Sequence, residues 1–248
     1  MCFTVALVRN NKLVTAHDYY NNLPVVNQSN NSIPPLPLYY FINGFSHPQL
    51  PIIKDDGVFL FEWGLIPSWV KDDESAKQIQ SKTLNAKGET IFEKPSFKNC
   101  ILSQRCILPI VGFYEWQDVN GVKYPYFIEP SMSDHFLLAS IYDSWIDNYT
   151  GEIKNTFSIL TTEANPLMKK IHNINMRMPL IMSDLDASIW LDKNLNKKDI
   201  DNLIKPYSED LMKAYTISRI ANDNRRDRNI PEITEEVVYH FNVNPTLF

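Results

Sequence analysis

No run of eighteen apolar residues occurs in this 248-residue chain, so a membrane-spanning helix is not expected. Its first twenty residues lack the apolar core and small-residue cleavage site of an export signal, which makes the expected location cytoplasmic. Glycine is scarce: the seven glycines, at 44, 57, 64, 88, 112, 121 and 151, form neither GxGxxG nor a Walker loop, which disfavours a nucleotide cofactor. HExxH, GxSxG and paired CxxC are missing too, so zinc peptidase, α/β-hydrolase and zinc-finger readings lose their signatures, and neither metal nor cofactor is expected. The three cysteines, Cys2, Cys100 and Cys106, are too few and odd in number for a disulfide framework and are read as reduced thiols. A basic excess is also lacking. With 24 Lys and Arg against 29 Asp and Glu the formal net charge is -5, so any contact with nucleic acid must rest on a local patch.

What is present is a globular composition, 44% hydrophobic and 12% aromatic, enough to bury a core within one domain spanning 1–248. Short β-type runs at Val58–Trp63, Cys106–Val111, Tyr124–Ile128, Phe136–Ile141 and Thr156–Thr161 are separated by Pro, Gly, Asn and Asp. Helical spacing appears at Ala16–Leu23, Glu163–Ile171, Asp184–Leu191, with Asp184 as N-cap, and Lys197–Leu203. Strands do not alternate regularly with helices, which predicts an α+β fold with mainly antiparallel sheet. Asn27–Pro37 reads as a surface loop, and Asn222–Asn229, where Arg225, Arg226 and Arg228 alternate with acids, as a solvated turn.

Chemistry enters at Met1-Cys2. Aminopeptidases remove Met before a small residue, leaving an N-terminal cysteine with an amine and a thiol on adjacent carbons. An α-amine of pKa about 7.7 is roughly one-sixth neutral at pH 7, so it is a usable nucleophile without tuning. An aldehyde forms an imine with such an amine, and the neighbouring sulfur closes a five-membered thiazolidine intramolecularly. By itself a cysteine at position 2 is more often a small apolar residue opening a strand.

Five further strings change that reading: Trp63-Gly64-Leu65-Ile66-Pro67-Ser68-Trp69, Leu84-Asn85-Ala86-Lys87-Gly88-Glu89-Thr90, Arg105-Cys106-Ile107-Leu108-Pro109, Gly112-Phe113-Tyr114-Glu115-Trp116, and Ile171-His172-Asn173 before Arg177-Met178-Pro179. Together and in this order they resemble the SRAP family, the SOS-response-associated peptidases or abasic-site processing proteins, over nearly the whole chain. The resemblance implies a covalent crosslink between Cys2 and the ring-opened sugar of an abasic site in single-stranded DNA. The expected fold is a single α+β domain whose curved, mainly antiparallel sheets form a barrel-like core with peripheral helices. The partner would be DNA, with no membrane, for a probable monomer that joins the nucleoid when bound.

Residue by residue, the resemblance makes Cys2 the nucleophile through nitrogen and then sulfur, with Glu115 holding or deprotonating the amine. His172 would protonate the sugar ring oxygen to open it, and Asn85 would position the sugar or the Cys2 backbone. Lys87 and Arg177 are the candidate phosphate contacts. Trp69 and Trp116, and less directly Trp63, are candidate base-stacking surfaces. His17, His47, His135 and His240 belong to no motif, and Cys100 and Cys106 are assigned to packing. Members usually open Met-Cys-Gly-Arg, whereas this chain has Phe3-Thr4 after Cys2. Lys87 stands where an arginine is usual and lacks its bidentate fork. The interval from His172 to Arg177 is also longer than usual. Two other functions use the same residues: an N-terminal-nucleophile cysteine peptidase acting mainly on itself, and a non-covalent single-strand DNA-binding module.

Overall fold

The computed structural model describes residues 2–9, 12–13 and 38–239. The expected helix at 16–23, the loop at 27–37, His17 and His240 lie outside the described residues. Five strands close on themselves. The hairpin Gln49–Lys54 and Gly57–Trp63 passes to Ile153–Glu163 through the parallel pair Phe157 and Trp63. Ile153–Glu163 lies antiparallel to Phe136–Ile146, which pairs with Arg105–Ile110, and Ile53 opposite Ile107 completes the circuit. The barrel-like, mainly antiparallel α+β expectation is therefore met. Closure removes the exposed strand edges that would otherwise template aggregation.

A second sheet of five strands runs in the order Met212–Thr216, Val122–Pro130, Gly112–Val119, Thr4–Ala6 and Ile42–Asn43. The chain crosses from the barrel into this sheet through one residue, Val111, whose amide donates to the Ala6 carbonyl at 2.9 Å. Gly112 makes the crossing possible, because a Cβ there would lie 2.4 Å from the Phe127 ring and 2.6 Å from the Ile128 carbonyl oxygen. The largest core cluster fills the space between the two sheets with residues from both, including Leu108, Phe113, Ile128, Leu138 and Phe157. Cys2 is part of it.

Predicted runs and observed strands overlap, with longer strands than the patterns suggested. Gln49–Lys54 escaped notice because Pro51 interrupts it. The strand tolerates the proline because its only residue paired to the Arg105–Ile110 strand is Ile53, leaving Pro51 with one neighbour, Leu60. Two helix boundaries need correction. Asp184 is the first helical residue and Ser183 the N-cap, its hydroxyl accepting from the Asp186 amide at 3.1 Å, which leaves the Asp184 carboxylate beside the positive end of the helix. Glu163 ends a strand, and the following helix is Pro166–Ile171, started by the Asn165 cap and by a proline at the position where its missing N–H costs nothing. No helix among the described residues is long and apolar enough to cross a membrane.

Candidate functional site

Four segments far apart in sequence deliver the four candidate catalytic residues. Thr4–Ala6 is zipped between two neighbours, with Thr4 opposite Asn43 and Val5 opposite Phe113. The Gly44 amide extends that pairing to the Phe3 carbonyl at 2.8 Å, so the chain start is led along the Gly112–Val119 strand toward Glu115. Cys2 is fully buried, its Sγ 3.9 Å from the Thr4 carbonyl oxygen. Asn85 opens the short strand Asn85–Lys87, which lies parallel to Ile153–Glu163, and its Nδ2 donates to the Cys2 carbonyl at 2.8 Å. The other side-chain atom, Asn85 Oδ1, is buried without a hydrogen-bond partner among the described residues. A buried acceptor of this kind is costly unless something arrives to donate to it.

His172 follows the Pro166–Ile171 helix and brings Nδ1 to 3.6 Å from Glu115 Oε1. Asn173 staples this turn to the Glu115 strand, accepting from the Asp118 amide at 3.1 Å and donating to the Asp118 carbonyl at 2.8 Å. His172 Nδ1 also lies 2.9 Å from the Arg177 carbonyl oxygen, which can only accept, so we assign the proton to Nδ1. Nε2 is then the acceptor for Asn175 Nδ2 at 3.3 Å. Asn175 was not singled out in the sequence, since an asparagine in a turn carries no signal of what it touches.

Burial dominates the electrostatics. It pushes the Cys2 thiol well above its ordinary range, helped by the Glu115 charge and opposed by the N-terminal amine. It raises the Glu115 carboxyl to about 7, again against the pull of the N-terminal amine. The same burial, reinforced by the amine's positive charge, lowers His172 to about 4, partly offset by its bond to the Arg177 carbonyl. Near neutral pH the carboxyl is therefore about half protonated while the imidazole is neutral, so of the two it is Glu115 that can give up a proton. All three groups feel the charge of the amine at the chain start, which moves onto Cys2 only when Met1 is removed.

A cleft of about 610 Å³ opens over Glu115 and His172, lined also by Phe3, Asn43, Trp116, Lys123, Ile174, Asn175, Asn222, Asn224 and Arg228. Trp116 is held at its rim by donating Nε1 to Asn222 Oδ1 at 2.6 Å. The segment from Asn222 to Arg228, read from its alternating charge as a solvated turn, thus forms one wall of the cleft. Part of that reading stands: Arg225 is exposed and paired with Asp223.

The candidate DNA contacts are distributed unevenly. Lys87 is exposed and Trp69 is 52% exposed, but neither lines this cleft. Trp63 is a correction: it is fully buried, stacked against Phe157 with Nε1 donating to the Leu84 carbonyl, and has no face to offer a base. Arg177 turns its fork onto Glu89, at 2.7 and 2.8 Å, and onto the Thr161 carbonyl at 2.8 Å. Its guanidinium braces the turn carrying His172, and a phosphate would have to displace a bidentate carboxylate.

With this geometry in view, the family model for SOS response associated peptidase (SRAP) matches residues 1–224. The chain belongs to the SRAP family. Abasic site processing protein YoqW of Bacillus subtilis (strain 168) is 39% identical over 175 residues, covering 70% of this chain and 74% of that protein. Abasic site processing protein HMCES of Gallus gallus is 34% identical over 187 residues, 66% of this chain and 54% of that longer protein. A crystal structure of a protein from Bacteroides thetaiotaomicron superposes with a TM-score of 0.85 at 37% identity, covering 96% of this chain and all of that one. Within the SRAP chain, the motif strings are also structural. Gly64 adopts φ 113° where a Cβ would meet the Gln80 carbonyl oxygen at 2.7 Å, and Arg105 is buried, donating to the Trp190, Ile101 and Asp192 carbonyls.

Proposed function

We propose that this SRAP protein processes abasic sites by forming a thiazolidine between Cys2, freed of Met1, and the ring-opened sugar aldehyde in single-stranded DNA. The observation that carries the reading is the meeting of Cys2 with Asn85 on its carbonyl and Glu115 acting on its thiol, Glu115 and His172 lining one cleft, with relatives whose names are abasic site processing proteins as independent support.

The order of steps follows from the electrostatics. Because burial keeps the thiol protonated, the neutral amine attacks the aldehyde carbon first and gives a carbinolamine. Loss of its hydroxyl as water requires a proton. Glu115, poised near 7, supplies it, whereas an imidazole near 4 is protonated in only about one molecule in a thousand at pH 7. Loss of water leaves a protonated imine; the sulfur then adds to its carbon, the thiol proton passing to the Glu115 carboxylate while the C=N electron pair returns to nitrogen and leaves a neutral N–H. Glu115 can also open the sugar, the role the resemblance implies for His172: its proton passes to the ring oxygen, the anomeric hydroxyl returns one to the carboxylate, and His172 orients the sugar through Nε2. Asn85 fixes the Cys2 carbonyl and keeps its Oδ1 for a sugar hydroxyl.

The chemistry demands that Met1 be removed, and self-cleavage by the same groups is the peptidase activity that fits this site. A monomer acting on single-stranded DNA in the cytoplasm or nucleoid completes the reading. Mass spectrometry of the mature protein incubated with a single-stranded oligonucleotide carrying one abasic site tests it. A stable adduct is expected for wild type, none for Cys2→Ala, and a slowed one for Glu115→Ala. No adduct from mature wild type rejects crosslinking, and fragments released from an unrelated peptide would favour a peptidase.

A further inference from the structure

Beside the cleft, and sharing Asn43 and Arg228 with it, lies a second groove of about 290 Å³ that also includes Arg226, Ser46 and Tyr39. Phe3, which lines the cleft, packs against Phe45, whose chain neighbour Ser46 lines the groove; the ring centroids are 5.1 Å apart and the planes inclined at 35°. Phe3 follows the reactive cysteine directly. Phe45 is 56% exposed. Its backbone is pinned in a single 3₁₀ turn, Gly44–Ser46, whose Asn43 cap accepts from the Phe45 amide at 2.9 Å. Gly44 in turn donates to the Phe3 carbonyl and packs flat on Trp63. The fold therefore holds an apolar face toward solvent at the edge of the nucleophile, with little ordering left for a ligand to impose.

The charges alongside suit a phosphate. Arg228 is stacked 4.6 Å over the Phe41 ring and makes one long bond, 3.4 Å, to the Ala221 carbonyl. Arg226 is 66% exposed and lies 3.5 Å from Asp223, a carboxylate that Arg225 also engages. Asp227 lines the same groove, but its Oδ1 accepts from the Asn229 amide. The turn thus sets Arg225, Arg226 and Arg228 against two carboxylates, Asp223 and Asp227, the latter already accepting from backbone.

We propose that the nucleotide adjoining the abasic sugar lies across the edge of the cleft, its base stacked on the Phe3–Phe45 pair and its phosphate held in the neighbouring groove by Arg226 and Arg228. The inference rests on the cleft being the abasic-sugar site. In place of an arginine beside the nucleophile, this chain stacks a base there and takes the phosphate on a turn more than two hundred residues away in sequence.

The test uses an oligonucleotide with a tetrahydrofuran abasic analogue, which has no aldehyde and cannot crosslink, flanked on one side or the other by 2-aminopurine. Quenching of the 2-aminopurine on one flank is expected with wild type and with Phe45→Trp, and its loss with Phe45→Ala and Phe45→Leu, together with about tenfold weaker binding. Arg226→Gln should keep the quench and reduce the slope of log affinity against log salt by about 0.7. Equal quenching and affinity in wild type, Phe45→Ala and Phe45→Leu would overturn the groove. A wild type that quenches here yet gives no adduct with a true abasic site would overturn the crosslink reading and leave the groove standing.

Discussion

Glu115 is the residue whose environment says most. Its carboxyl rises from 4.5 to about 7 because burial penalises the charged form. A carboxyl raised on folding contributes stability that is complete below its unfolded value and is lost as pH climbs through the folded one. Wild type should therefore weaken between pH 4.5 and 8 relative to Glu115→Gln, which cannot ionise, by on the order of 2–3 kcal/mol. Denaturant melts of both proteins across that range check it, and a pH-independent difference would remove the buried charge from the account. His172 works in the opposite window: lowered from 6.5 to about 4, it contributes stability above 6.5 that is lost as pH falls. Asn85→Ala removes the donor to the Cys2 carbonyl and should cost about 1 kcal/mol while slowing adduct formation more than it weakens DNA binding. A comparison of crosslinking rate with affinity separates the two.

At the scale of elements, two short segments carry measurable strain. The turn from His172 to Arg177 closes through Met176, a methionine at φ 49° that donates to the His172 carbonyl at 2.8 Å. Met176 is half exposed, so its side chain has little packing to lose. Met176→Gly should raise stability by about 0.5–1 kcal/mol, seen as a melting temperature a few degrees higher, because glycine adopts that backbone without a Cβ penalty. Gly64 presents the reverse case. Its φ of 113° and the 2.7 Å approach of a Cβ to the Gln80 carbonyl oxygen make Gly64→Ala destabilising by several kcal/mol, at least about 2, and solubility or a thermal melt reads the loss directly. The glycine of the WGLIP string is thus a backbone requirement, and its neighbour Trp63 is a strut rather than a stacking platform.

For the molecule as a whole, a net charge of -5 means that DNA is met against a mildly repulsive background. Among the described residues, the proposed phosphate contacts are Lys123, Arg226 and Arg228 along the cleft and groove and the exposed Lys87 outside them, with Arg177 engaged by Glu89. Single-strand binding should then show a shallow salt dependence, a log–log slope no steeper than about -3. Titrations between low and physiological salt measure it, and a slope beyond about -5 would call for a basic track elsewhere on the surface. Stacking on Phe45 as proposed, and on Trp116 at the cleft rim, would supply a part of the affinity that salt does not screen.

The reactive group was legible in the linear chain because it is local: the amine and thiol of a freed Cys2 sit on adjacent carbons whatever the fold does. Strand-forming runs such as Phe136–Ile146 and the helix Lys197–Leu203, with its Asn196–Asp199 capping box, were legible for the same reason, since their signals lie within one turn or one alternation. Proximity across the chain was not. The bond between Asn85 and the Cys2 carbonyl spans 83 residues, and the barrel closes on one pair, Ile53 and Ile107. Neither Asn175 on His172 nor the wall from Asn222 to Arg228 announces itself in residue type. Protonation was decided last of all, because desolvation depends on what packs around a group: only the tertiary structure could raise Glu115 and lower His172.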